Sequence, residues 1–205
     1  MKLHFPLSKI KKPLVLFILL LISLSSSAQD YKKNIRERFA DFAKLMVDGE
    51  FDKSMDYIPE AMFRIVPKAQ MVAALKQVMK GKFQIKMLGF DIKDISDSRK
   101  IDTFYYAKIK YVSAMTMKIT ADRVETAEAK KNRLASTTVA FANTFGSDNV
   151  KLDEATETYT LTPTKSSWAI SKNGQTGWKF LNVEPKQRIL LEKILPKVLI
   201  EESLN

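Results

Sequence analysis

The sequence predicts an α+β domain in which N-terminal helices pack on a curved antiparallel sheet. Apolar residues recur at helical spacing in the N-terminal third and, from Phe83 onwards, at every second position. A further helical stripe interrupts the strands, and a short helix follows the last of them. The chain of 205 residues shows no internal repeat and no Pro/Gly-rich linker, so we expect a single folded domain.

The first predicted helix of this domain covers residues 31–48. Gly49 follows at a position suited to a left-handed C-terminal cap. The apolar residues of this helix are spaced by four, three and four positions, which places them on one face. They are Ile35, Phe39, Phe42 and Met46.

Two prolines organise the next segment. A second helix over 51–57 should stop before Pro59, because the residue preceding a proline disfavours helix. We expect 61–66 to be extended and Pro67 to occupy the first turn of a third helix, which ends at Gly81. Its apolar side comprises Met71, Val72, Leu75, Val78 and Met79.

The strand pattern begins at Phe83 and changes parity once. Apolar positions are odd up to Met87 and even from Phe90, which predicts a β-bulge at Leu88-Gly89. A second strand is predicted over 101–119, with one buried face and one wet face. The buried face has odd numbers: Tyr105, Ala107, Ile109, Tyr111, Met115, Met117 and Ile119. Lysines mark the even face, which also carries Phe104, Tyr106 and Val112.

The remaining elements form a helix, four strands and a final helix. Asp122 and Glu125 resemble a capping pair for a helix whose stripe is Leu134, Thr138, Phe141 and Phe145 and which closes at Gly146. Strands are predicted over 150–153, 157–162, 168–171 and 178–181, with Asn173-Gly174 as a hairpin turn. Pro185 opens the last helix, and Pro196 should break it.

Residues 1–28 have the three parts of a secretory signal peptide. Lysines precede an apolar run over 14–22, and the small residues Ser25-Ser26-Ser27-Ala28 follow it. The run is shorter than the roughly 20 residues that a membrane-spanning helix needs. We therefore predict cleavage after Ala28, a domain over 29–205, a periplasmic or secreted location and no stable membrane insertion after cleavage.

Export would leave a chain with neither histidine nor cysteine. The sequence has no cysteine, and its one histidine is His4. Disulfides, Ser-His-Asp and Cys-His nucleophile systems, and His- or Cys-ligated metal sites would then be excluded. Carboxylates, Lys, Tyr and hydroxyls remain. We expect no metal and no cofactor, and we assign no catalytic residue.

The predicted mature chain is moderately basic, with 30 basic and 23 acidic residues. The basic residues form small clusters with acids between them rather than a continuous stripe with stacking aromatics. The pattern therefore indicates a solvated mixed-charge surface and no nucleic-acid partner.

Four stretches resemble small exported members of the nuclear transport factor two-like superfamily. They are "FADFAKLMVDGEFDKSMDYIP" (39–59), "PKAQMVAALKQVMKGKFQIKMLGFDI" (67–92), "YAKIKYVSAMTMKI" (106–119) and "GWKFLNVE" (177–184). The resemblance implies a cone, in which the bent sheet wraps a long helix and a pocket lies in the open end. It also implies frequent dimerisation through the sheet. Superfamily members include isomerases, dehydratases, epoxide hydrolases, binding subunits and transport adaptors, so the fold does not choose the function.

Six residues are candidates for the lining of this pocket: Tyr105, Tyr111, Met115, Met117, Trp168 and Trp178. They combine apolar surface with hydroxyl and indole groups, as ligand pockets do, although the same residue types commonly just fill a core. The acids in or near strands, such as Asp91 and Asp102, fall on the wet face or in turns.

Three functions follow as hypotheses. The first is a non-enzymatic exported domain that binds a small apolar ligand or a partner protein in the bacterial envelope. The second is a His-free isomerase or hydrolase with a buried Asp/Tyr pair, which requires a carboxylate within hydrogen-bond reach of Tyr105 or Tyr111. The third is a homodimeric structural module with a closed pocket, paired through the sheet face that carries Phe104, Tyr106 and Val112.

Overall fold

The strand β3 (Phe104–Ile119) is the centre of one antiparallel sheet in this computed structural model. The structure describes residues 12–81, 83–119 and 124–204, with the side chains of these except 12–29, 80, 83, 185 and 204. The predicted α+β class is confirmed. N-terminal helices, the sheet, an inserted helix and a short C-terminal helix follow one another in the predicted order.

The described part of the chain contains seven α-helices. They are α1 (Lys12–Val47), α2 (Phe51–Ser54), α3 (Glu60–Phe63), α4 (Lys68–Lys80), α5 (Ala127–Phe145), α6 (Arg188–Leu191) and α7 (Lys197–Leu204). Short 3-10 turns follow α2 at Met55–Tyr57, follow α5 at Ser147–Asn149 and precede α6 at Pro185–Gln187. The break between α6 and α7 contains Pro196, as predicted.

Six further strands pair directly or indirectly with β3. They are β1 (Phe83–Ile95), β2 (Arg99–Ile101), β4 (Val150–Asp153), β5 (Thr158–Leu161), β6 (Thr164–Ser171) and β7 (Lys179–Asn182). β1 and β2 pair with one edge of β3. On the other edge of β3, β6 pairs with the first half of β3 and β5 pairs with its second half. β7 extends the sheet beyond β6, and β4 extends it beyond β5.

β1 carries the predicted bulge and a second one. Its register with β3 shifts between Met87 and Gly89, which confirms the bulge at Leu88. It shifts again between Ile92 and Asp94, where the buried parity returns to odd numbers at Ile95. Each extra residue bends the strand and lets apolar residues of both parities contact one core.

The predicted strand over 101–119 is interrupted at its start. Ile101 pairs with Phe104 across a two-residue turn at Asp102-Thr103, so β2 and β3 form a hairpin. Asp102 has a φ of 53°, a left-handed conformation that Asp tolerates better than most residues. This places Asp102 in a turn, as expected, but the prediction of one uninterrupted strand was wrong.

The odd-numbered face of β3 packs on α1. The core on this side includes Ile35, Phe39 and Tyr111, each no more than 3% exposed. The Phe39 ring lies 5.0 Å from the Tyr111 ring, centroid to centroid, and 5.0 Å from the Phe180 ring.

Gly49 ends α1 with a φ of +73°, while the Glu50 N–H donates to the Leu45 carbonyl. This confirms the predicted left-handed cap.

The even-numbered face of β3 is covered at its start, which corrects the expectation of a wet face. A second core forms there: Tyr106, Trp168 and Leu181 pack against α6 and α7, whose Leu191 and Leu199 are 0% exposed. The Trp168 indole N–H donates to Ser203 Oγ at 2.8 Å. Tyr106 is therefore buried within the chain and does not offer a partner surface.

A third core lies at the far end of β3. Met117, Tyr159 and Leu161 pack against Leu134 of α5, with Phe141 and Phe145 beside them. The helical stripe of α5 and its closure at Gly146, with φ +89°, are as predicted. The N-terminal cap is not: Asp122 lies outside the described residues, and Thr126 accepts the capping hydrogen bond from the Ala129 N–H at 3.2 Å.

Two other local predictions were wrong. Residues 61–66 are not extended, because Pro59 with φ −58° starts the helical turn α3, whose Met62 reaches the second core. Val78 does not belong to the apolar side of α4, since it is 55% exposed while Val72 is buried. Asn173-Gly174 lies in the β6–β7 hairpin, but inside a longer loop than a two-residue turn.

Of the predicted signal peptide, residues 1–11 lie outside the described residues, and only the backbone of residues 12–28 is described. Lys2, Lys9 and Lys11 lie outside the described residues, and α1 runs from Lys12 across Ala28 to Val47. Among the described helices, none has both the length and the apolar character needed to span a bilayer.

Candidate functional site

The six candidate pocket residues do not lie together. Tyr105, Tyr111 and Trp178 belong to the core against α1, while Met115 and Met117 belong to the core against α5. Trp168 lies on the opposite face of the sheet. Among the described residues, the cleft presented below is lined by none of the six.

The Tyr111 hydroxyl has an amide partner. It donates to Asn182 Oδ1 at 3.0 Å, and burial raises the pKa of this phenol well above its usual range, with the Glu184 charge acting in the same direction. A neutral amide oxygen is too weak a base to act as the general base of a catalytic pair. The Asp/Tyr pair that the enzyme hypothesis requires is therefore not present at Tyr111.

Tyr105 lies close to the loop between β6 and β7 and to Lys100. A Cβ built on Gly174 would lie 2.7 Å from the Tyr105 ring, and Lys100 Nζ lies 5.7 Å from the ring centroid. These contacts bring the Asn173-Gly174 loop close to the start of β3. The loop contributes to a cleft on the other face of the sheet.

This cleft has a volume of about 590 Å³ and is open to solvent. It lies between α3, the start of β3, the β6–β7 loop and the chain that joins α6 to α7. The volume is within the range of small-molecule sites, which is roughly 300–1,000 Å³. We refer to it as the C-terminal cleft.

The floor of the C-terminal cleft is apolar. Tyr106 and Ile170 are buried partners in the β3–β6 register, and Phe104 lies two residues before Tyr106 on the same face. Ile194 completes the floor; it belongs to the C-terminal segment, by which we mean α6, α7 and the chain that joins them. Burial raises the pKa of Tyr106, with a smaller effect of Asp102 in the same direction, so its phenol stays protonated at neutral pH.

One wall of the cleft is a loop ordered by its own hydrogen bonds. Asn173 Oδ1 accepts from the backbone N–H groups of Gln175 and Thr176, both at 2.9 Å. Ser171 Oγ donates to the Thr176 carbonyl at 2.6 Å and accepts from the Gly174 N–H at 3.1 Å. These bonds hold Asn173, Thr176 and Gly177 at the cleft. A wall fixed in this way is preorganised for a ligand.

The rim of the cleft is mostly cationic. Arg64, Lys172, Lys179 and Lys193 line it, with Glu60 as the one acid among the lining residues. Sequence reasoning missed this site because it placed the even face of β3 in water. The alternation of Phe104 and Tyr106 with lysines was the available signal, but it was interpreted as a dimer surface.

The described residues contain no group of three or more His, Cys, Asp or Glu side chains placed to hold a metal ion. Comparison of the chain with protein-family models, curated proteins and solved structures found no match. The geometry of the C-terminal cleft is therefore the main basis for a functional proposal.

Proposed function

We propose that this protein is an exported, non-enzymatic domain that binds a small apolar ligand in the C-terminal cleft. The observation that carries the proposal is the cleft itself: about 590 Å³ of space above a floor formed by Phe104, Tyr106, Ile170 and Ile194. Removing apolar ligand surface from water contributes roughly 25 cal/mol per Å². A floor of this size and composition can therefore supply affinity without any catalytic group.

Export and family membership are parts of the same proposal. The lysine-rich start, the apolar run and the small residues before Gln29 support a cleaved signal peptide. The order of helices and strands supports the nuclear transport factor two-like superfamily as the fold family. In that case the ligand would lie outside the cone, because the core against α1 fills the face of the sheet that the cone would enclose.

The other hypotheses have less support from the site. The buried Tyr111 meets an amide, which weakens the enzyme hypothesis. An open cleft fits a ligand better than the closed-pocket module does. A partner protein, or a dimer through another part of the sheet, remains an alternative occupant of the surface.

The test uses N-phenyl-1-naphthylamine, a neutral apolar fluorophore, and protein purified from the envelope fraction of its own cells. We expect saturable one-to-one binding and an intact mass corresponding to a chain that begins at Gln29. Ala61→Trp should weaken binding about tenfold, because Ala61 lines the cleft and the indole would fill it.

The matched control is Ala69→Trp, since Ala69 is exposed in the first turn of α4 and lies outside the cleft lining. It should bind the fluorophore as the natural protein does. Equal loss in the two variants, or equal retention, would place the binding elsewhere and contradict the proposal. A mass that retains residues 1–28 would contradict export alone.

A further inference from the structure

The charges around the C-terminal cleft are unbalanced. Glu60 lies 3.6 Å from Lys179 Nζ, so the one acid of the lining is paired with one of its four cations. Within the part of the chain that the structure describes, Arg64, Lys172 and Lys193 form no ion pair. Three exposed cations therefore border one apolar floor.

Arg64, Lys172 and Lys193 are distinguished by their common position at one cleft. Other lysines that form no ion pair among the described residues, such as Lys110 and Lys151, are exposed and lie outside the cleft lining. Unpaired cations beside a low-dielectric surface raise the local concentration of anions and bind them more strongly than cations in open water do.

The three cations come from three different elements. Arg64 follows α3, Lys172 follows β6, and Lys193 lies between α6 and α7. They are therefore brought to one cleft by the tertiary structure and do not form a continuous basic run along one element. Such a placement suits one compact anionic group better than an extended polyanion, which needs a continuous track of phosphate contacts.

We propose that the ligand of the C-terminal cleft is a small amphipathic anion, with a carboxylate or phosphate headgroup and a hydrocarbon part. The headgroup lies among Arg64, Lys172 and Lys193, and the hydrocarbon lies on Phe104, Ile170 and Ile194. This inference rests on the proposed function, since it names the class of ligand for the same cleft.

The experiment is displacement of N-phenyl-1-naphthylamine by four amphiphiles of equal chain length, each below its micelle concentration. They are decanoate, decyl phosphate, decanol and decyltrimethylammonium. We expect the two anions to displace the fluorophore at concentrations about tenfold lower than decanol does, and the cation to be weakest. Comparison of decanoate with decyl phosphate distinguishes the two headgroups.

Two double variants separate the cleft from the general charge of the protein. Lys172→Gln with Lys193→Gln should reduce the preference for the anions over decanol, and the affinity of the fluorophore is measured in each variant so that the displacement can be corrected for it. Lys151→Gln with Lys186→Gln is the control, because both lysines are exposed and lie outside the cleft lining. It removes the same net charge and should leave the preference for anions intact.

The outcomes distinguish this inference from the proposed function. If decanol and the anions compete equally, or if the control double variant loses the preference as well, the inference is overturned while apolar binding stands. If the fluorophore does not bind the natural protein, both are overturned. Binding to phosphatidylglycerol vesicles that neither double variant weakens, without displacement by free anions, would also overturn the inference in favour of membrane attraction.

Discussion

Gly174 has two separate reasons to be glycine. Its φ is +74°, and a Cβ built on it would lie 2.7 Å from Cδ1 and Cγ of the Tyr105 ring. The Tyr105 ring packs on the core against α1, so a shift of the ring away from the added Cβ would disturb that packing. The residue thus joins the loop of the C-terminal cleft to the main core.

Gly174→Ala should destabilise the protein by about 2–5 kcal/mol, since the left-handed backbone costs about 1–2 kcal/mol and the contact with the ring adds about 1–3 kcal/mol. Urea unfolding measures this difference. Gly49→Ala is the matched control: its φ is +73°, but nothing lies within 4 Å of the added Cβ. It should show the backbone cost alone. Equal losses in the two variants would mean that the contact with Tyr105 is relieved without cost.

At the scale of elements, a charged cluster attaches α5 to the sheet. Arg133 Nε lies 3.0 and 3.1 Å from the two carboxylate oxygens of Glu125, and its guanidinium also reaches Glu157, at the start of β5. Arg133 Nη1 donates to the Ile119 carbonyl at 3.0 Å, at the end of β3. The side chains of Arg133, Glu125 and Glu157 are only 19–24% exposed, so one cation connects three elements.

The stability conferred by this cluster should depend on pH. Hydrogen bonds from Lys130 and Arg133 lower the pKa of Glu157 to about 2, from an ordinary value of 4.5. Because the folded pKa is the lower one, the contribution to stability is complete above pH 4.5 and is lost as the pH falls towards 2. Glu157→Gln should therefore be less stable than the natural protein at pH 6, and the difference should shrink below pH 4.

Urea unfolding at pH 6, 4 and 2.5 tests this expectation. Glu154→Gln is the control, since Glu154 is an exposed acid in the same turn that forms no ion pair among the described residues. Its stability should follow that of the natural protein at all three pH values. A difference for Glu157→Gln that persists unchanged at pH 2.5 would show that packing rather than charge explains it.

At the scale of the whole molecule, the sheet is covered on both faces over the first half of β3. α1 covers one face, and the C-terminal segment covers the other with Leu191, Leu195 and Leu199. Lys108 Nζ also donates to the Glu202 carbonyl at 2.9 Å, and Arg99 pairs with the Glu202 carboxylate. α6 and α7 are thus part of the structural core, and Lys193 and Ile194 between them form one wall of the cleft.

Leu199→Ala should destabilise the whole domain by about 2–5 kcal/mol, because Leu199 is 0% exposed in the second core. Thermal unfolding should show one transition at lower temperature, not early melting of α7 alone. Val198→Ala changes the neighbouring residue, which is 44% exposed, and should alter stability by no more than about 0.5 kcal/mol. Two separate transitions for Leu199→Ala would show that the C-terminal segment folds independently.

The features that the sequence alone determined are those that depend on neighbours along the chain. Several features follow from spacing or from the backbone preferences of single residues. They are the apolar stripe of α1, the glycine caps at Gly49 and Gly146, the bulge at Leu88 and the break at Pro196. The second bulge of β1 was not marked in the same way: Ile92 and Ile95 differ in parity, but Ile95 is the one apolar residue of β1 after the shift, which is too few to mark a new register.

The tertiary structure alone decided which surfaces meet. Periodicity shows that the C-terminal helices have an apolar side, but it does not show which face of which strand that side covers. Their packing on Tyr106, Trp168 and Ile170 forms a second core on a face that was predicted to be wet, and the C-terminal cleft lies at the margin of this core. The six candidate residues are distributed among three clusters. Contacts between residues about 90 positions apart depend on burial in three dimensions, which no local pattern encodes.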